Sequence, residues 1–143
     1  MIKAIRYGIT TALHAMFGDE YNIYIDKLEQ GYENPCFFVS LVDWYSDELI
    51  MGREKVHTQF NVTFFPRNED EPTDECYEMI PKLRECLRMI ELENGDLHRG
   101  IDMDAKVADG LVQFYVTYNF ETIEQQESDN SMESFTERVT HGS

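Results

Sequence analysis

IYIDKLEQGYENPCFFVSLVDWYSDELIMGREKVHTQFNVTFFP, residues 23–66, decides how this chain folds. It holds an apolar, aromatic-rich run from Cys36 to Trp44 and a long alternating run from Val56 to Phe64. Asn34-Pro35 opens the first run, and Pro35 suits a strand's first position because it has no ladder donor to lose. Cys36 to Val42 is apolar at nearly every position, which predicts a central strand with something packed on each face. Ser46 to Gly52 then reads as a connection, unusually apolar at Leu49, Ile50 and Met51. Packing on the first helix and a partner surface are both open explanations for those three. Val56, Thr58, Phe60, Val62 and Phe64 alternate with His57, Gln59, Asn61 and Thr63, the pattern of a half-buried antiparallel strand with one wet face.

Outward from this stretch the periodicity changes. Ile2, Ile5, Ile9, Ala12, Leu13 and Met16 recur at spacings of three and four, one face of a helix over residues 2–17, which Gly18-Asp19 ends. A short extended piece spans Tyr21 to Ile25, and Glu29-Gln30-Gly31 marks a turn. Beyond the acidic loop Arg67–Pro72, Thr73 with Cys76 to Ile90 reads as a second helix. Pro81 inside it predicts a kink, because it deletes one backbone bond and crowds the preceding turn. Asn94-Gly95 predicts a small hairpin between Ile90–Glu93 and Asp96–Arg99. Asp109-Gly110 predicts a clearer one between Ile101–Val107 and Leu111–Phe120.

Helices and strands in this order predict an α+β fold: a mainly antiparallel sheet with two main helices packed on it, plus a polar C-terminal tail. The expected organisation is a single domain over residues 1–121, long enough to bury roughly 70% of its unfolded surface, and a polar acidic tail or inter-subunit arm over 122–143. In that tail Met132, Phe135 and Val139 stand at near-helical spacing as anchors for a neighbouring subunit.

Composition narrows the function classes. Acidic residues number 28 against 12 basic ones, a net charge of −16, which repels a phosphate backbone and argues against tight nucleic-acid binding. The start of the chain lacks a secretory h-region, and no apolar stretch approaches the ~18 residues of a membrane span, so a cytosolic protein with no membrane partner is expected. Cys36, Cys76 and Cys86 make an odd count without CxxC spacing, which suits buried, reduced thiols. His14, His57, His98 and His141 are isolated, and neither HExxH nor a His/Cys cluster occurs. Asp102 and Asp104, two apart on a strand with Asp109 nearby, form a conceivable divalent-cation site; a solvated strand face accounts for them more simply. Ser40 lies on no nucleophile elbow, and phosphate-binding glycine loops are missing. The expectation is a protein that is not an enzyme, with no catalytic residues, cofactor or metal.

Ile23-Tyr24, Leu28-Glu29-Gln30-Gly31, Pro35-Cys36-Phe37-Phe38-Val39 and Phe60-Asn61-Val62-Thr63-Phe64-Phe65-Pro66 resemble words of the tail terminator family of phages and phage-like elements of Gram-positive bacteria. The resemblance covers residues 1–90 and, more loosely, the final hairpin; Pro81 departs from it. It implies a structural virion-assembly subunit that forms a ring, commonly a hexamer, on the head-proximal end of the tail tube. Such a ring stops tube polymerisation and offers a surface to head or head-tail connector proteins. The implied partners are further copies of itself, the tail tube protein and connector proteins, with DNA passing through the ring without being gripped. The protein would be made in the bacterial host cytoplasm and end in the virion tail. Leu49, Ile50 and Met51, with Met132, Phe135 and Val139, are the candidate interface residues, chosen by exposure. Rival readings are another head-tail connector component, an acidic DNA mimic that binds a host DNA-binding protein, and a small metal enzyme using Asp102, Asp104 and Asp109.

Overall fold

In the computed structural model the chain is described over residues 1–25, 31–123 and 140–141, the last two by their backbone pairing alone. Helix α1 spans Ile2–Phe17 and α2 Thr73–Leu87. The strands are β1 (Asn22–Ile25), β2 (Cys36–Glu48), β3 (Arg53–Phe65), β4 (Met89–Glu91), β5 (Leu97–Arg99), β6 (Ile101–Ala108), β7 (Leu111–Ile123) and β8 (Thr140–His141). The main sheet runs β1-β2-β3-β7-β6, with β8 also paired to β7, and β4-β5 forms a separate hairpin. Only the β1–β2 pair is parallel. The α+β expectation therefore holds.

The two alternating runs place the core. Phe64 pairs with Phe37 on one side and Val112 on the other, while Val62 pairs with Val39 and Phe114. Phe60, Val56, Val116, Tyr118 and Phe120 continue the same face. Ile5, Ile9 and Leu13 of α1 join this cluster with Cys76, Met79, Leu83 and Leu87 of α2, so both helices cover one face of the sheet. Met16 is exposed instead of buried. Phe17 takes its place, its ring tilted 5.0 Å from Phe37, on which Tyr21 stacks at 5.5 Å.

α2 runs without a break through Pro81 and ends at Leu87, three residues sooner than the periodicity predicts, because Met89–Glu91 leaves to form β4. Proline is tolerated because Tyr77, whose carbonyl loses its donor, and Pro81 both lie on the exposed side of the helix, where water can replace the missing bond. At the helix end the Tyr118 hydroxyl donates to the Leu87 carbonyl at 2.6 Å, and the Gly100 amide donates to the Arg88 carbonyl at 2.9 Å. Both turn signals hold: Asp109 and Gly110 each adopt positive φ, as a two-residue hairpin requires, and Asn94-Gly95 closes β4 onto β5.

Strand β2 departs from expectation in two ways. It continues to Glu48, so the connection to β3 shrinks to Leu49–Gly52. It is also covered only as far as Val39; Leu41, Val42, Trp44 and Tyr45 are exposed. Val42 is an extra residue, since Leu41 pairs with Phe60 and Asp43 with the next residue back, Gln59. This bulge puts Trp44 opposite Thr58 on the helix-side face, and Tyr45 opposite His57 on the other. On that other face Gln113 Oε1 lies 2.8 Å from Thr63 Oγ1 and 3.1 Å from Asn61 Nδ2. Asn61 and Thr63 are thereby buried although no helix lies over them among the described residues, so the expected wet face is polar but partly self-covered.

The thiols are sealed in. Burial pushes Cys36 up to about 11 and Cys86 up to about 12, and raises Cys76 as well. A thiol pushed from 9 to about 11 carries about 100-fold less thiolate at pH 8, so maleimide labelling of Cys36 and Cys86 in the native protein is expected to be slower than in denaturant by at least that factor. Equal rates in the two conditions would show the thiols to be accessible. Because the folded-state values exceed the ordinary one, unfolding binds fewer protons above pH 9. Stability should hold below pH 9 and fall between pH 9 and about 12, read from urea midpoints across that range.

Candidate assembly surface

Beyond the ends of the helices β2, β3 and β7 continue as a ladder of three strands. Glu48 pairs with Glu54, and Arg53 with Ile123. The turn at its far end, Ile50–Gly52, holds Met51 at φ 65 and Gly52 at φ 74. A left-handed methionine is uncommon and costs conformational energy. Here it pushes the side chains outward: Ile50 is 77% and Met51 83% exposed, with Leu49 also exposed. Packing against α1, one of the two explanations open from the sequence, does not occur. Met132, Phe135 and Val139 lie outside the described residues.

The arm carries its own polar bracing. His57 Nε2 sits 3.0 Å from Asp47 Oδ2, its ring stacked on Tyr45 at 4.2 Å, and Arg53 bonds Glu121 across to β7. Where the arm leaves the domain, the start of α1 and the helix-side face of the ladder enclose an open recess of about 490 Å³. Ile2, Trp44, Val56 and Phe120 supply its apolar walls, with Lys3 and Glu54 at the rim. Sequence reasoning missed this recess. Its walls come from four separated segments, and the one local signal, a lone tryptophan in an exposed strand, does not say what it faces.

The carboxylates weighed for a metal do not converge. A register shift between Ile101 and Asp104 interrupts the alternation that would put Asp102 and Asp104 on one face. Asp102 adopts φ 53 in that bulge, Asp109 sits in the hairpin turn, and Asp104 is held by Lys106 Nζ at 3.0 Å. Among the described residues no group of three or more His, Cys, Asp or Glu could hold an ion. No helix among them is long and apolar enough to cross a membrane.

An exposed arm with an apolar tip fits an assembly subunit, and the comparison with protein families says of which kind. The family described as phage tail terminator protein matches residues 4–130. The chain belongs to the phage tail terminator family. It is also similar in fold to the sheath/tube terminator of an extracellular contractile injection system, PVC, in its extended state, with a TM-score of 0.56 and 12% identity. That likeness covers 97% of this chain and 63% of the other, so the chain spans less than two thirds of the length of its structural neighbour. No curated protein matches the sequence. Membership places the chain among phage tail proteins.

Proposed function

We propose that this terminator caps the head-proximal end of the tail tube as a ring of copies, halting addition of tube protein and presenting a surface to head or connector proteins. The observation that carries the reading is the family match across residues 4–130. The geometry supports it: Leu49, Ile50 and Met51 stand clear of the core at the end of a braced arm, where apolar exposure is costly unless a neighbour covers it. A net charge of −16 suits a passage through which DNA moves without sticking. The ring is read as a hexamer assembled in the bacterial host cytoplasm.

The test is the tail-length distribution, by electron microscopy, in lysates of a producer lacking this gene. Overlong tubes of variable length without heads are expected. Tails of normal, uniform length carrying heads would dispose of the capping role.

A further inference from the structure

We infer that the apolar tip of one copy seats in the recess of the next, making a head-to-tail contact between copies of this chain. This rests on the ring reading above and names the surfaces that would build it. Among the described residues the tip and the recess are both unfilled apolar features of one molecule, and they differ in kind: a projecting pair, Ile50 and Met51, and a concavity walled by Ile2, Trp44, Val56 and Phe120. A chain cannot fill its own recess with its own tip. The ladder from Arg53 to Val56 is extended and fully paired, and at ~3.3 Å per residue it holds the turn about 10 Å beyond the recess walls. When a projection complements a pocket elsewhere on the same molecule, the contact is heterologous, and it closes into a ring if the rotation allows.

Charge agrees with this seating. Behind the tip Glu48 faces Glu54 directly across the ladder, a like-charged pairing that is unfavourable within one chain. Glu48 and Lys3 are in no ion pair among the described residues, and Lys3 stands at the mouth of the recess. A tip entering the recess of a neighbour brings its Glu48 to that neighbour's rim, where the Lys3 ammonium attracts the carboxylate and offsets the Glu54 carboxylate that shares the rim. The volume of about 490 Å³ leaves room for both tip side chains. Exposed polar residues flanking an apolar anchor are the arrangement that concentrates binding energy at a contact's centre.

The experiment is sedimentation of the full chain up to millimolar concentration, with Trp44 fluorescence as a second readout, since this is the only tryptophan. The parent protein is expected to associate and its emission to shift to the blue as Trp44 is covered. Met51→Asp and Ile2→Arg should each weaken association at least ~tenfold. Mixed one to one, they should form dimers and nothing larger, because one intact tip meets one intact recess. Lys3→Glu should weaken association and Glu48→Lys added to it should restore it, which separates a lost contact from a misfolded variant. A monomeric parent, variants that associate normally, or a mixture no different from its components overturns the inference. Tail length is scored separately. Overlong tails on gene loss with association untouched by the variants would leave capping standing and remove this contact; the reverse pattern would keep the contact and remove capping.

Discussion

Gly100→Ala is expected to lower stability by about 3 kcal/mol, at the top of the usual range for overpacking. A methyl group at this position would lie 2.5 Å from the Leu87 carbonyl oxygen and 2.8 Å from Val116 Cγ2. The first of these is backbone and cannot rotate away. It is also the oxygen that accepts the Tyr118 hydroxyl bond, so relief by shifting the end of α2 would strain that bond and the one from Gly100 to Arg88. For a chain of this size ~3 kcal/mol corresponds to roughly 10 °C in Tm. Gly18→Ala is the contrast. It has open space around it, but φ 78 with ψ −169 is backbone adopted essentially by glycine alone, so its cost is backbone strain, about 2 kcal/mol. Urea unfolding of the two variants decides the matter, and equal losses would mean that close approach at Gly100 is not what its small size serves.

Phe64→Ala is expected to cost about 3–5 kcal/mol, the range for emptying a buried aromatic site. Phe64 is fully buried, on the central strand, with its ring 5.4 Å from Phe37 and 6.3 Å from Tyr21. Its neighbours belong to the sheet and to the segment leaving α1, so the site cannot collapse without moving both layers. Against a typical domain stability of about 5–15 kcal/mol, the variant would stand near the edge of folding. Phe65→Ala, one residue along on the opposite face and only half-buried, should lose less than half as much. A loss at Phe65 matching that at Phe64 would show that both faces of β3 are equally packed, contrary to the burial seen.

Where burial imposed a rhythm, the sequence could be read. β3 and β7 alternate because every second side chain enters the core, and α1 repeats at three and four because Ile5, Ile9 and Leu13 enter it from above. Asp109-Gly110 was legible for a different reason, the positive φ that its turn needs. The arm was not legible. From Ser46 to Glu48 no helix covers β2 among the described residues, so no rhythm of apolar residues is demanded, and strand geometry there is kept by backbone pairing to β3. Such pairing leaves no mark on composition, and the segment looks like a loop. Of the candidate surface, Leu49, Ile50 and Met51 stood out as too apolar for a connection, while the recess drew its walls from residues 2 to 120 and had no local spacing to betray it.

The extra residue at Val42 has a consequence for what the arm displays. Strict alternation from Leu41 would direct Asp43, Tyr45 and Asp47 toward the recess side; the bulge directs Trp44 and Ser46 there instead. The arm's chemical character is thus a matter of phase, not of side-chain inventory. One step of slippage along β3 would replace Trp44, Ser46 and Glu48 on that side by Asp43, Tyr45 and Asp47, exchanging an indole for a phenol and one carboxylate for two, with every residue unchanged. A less acidic edge and a more acidic one are written in the same few residues, and a single unpaired position decides which of them is shown.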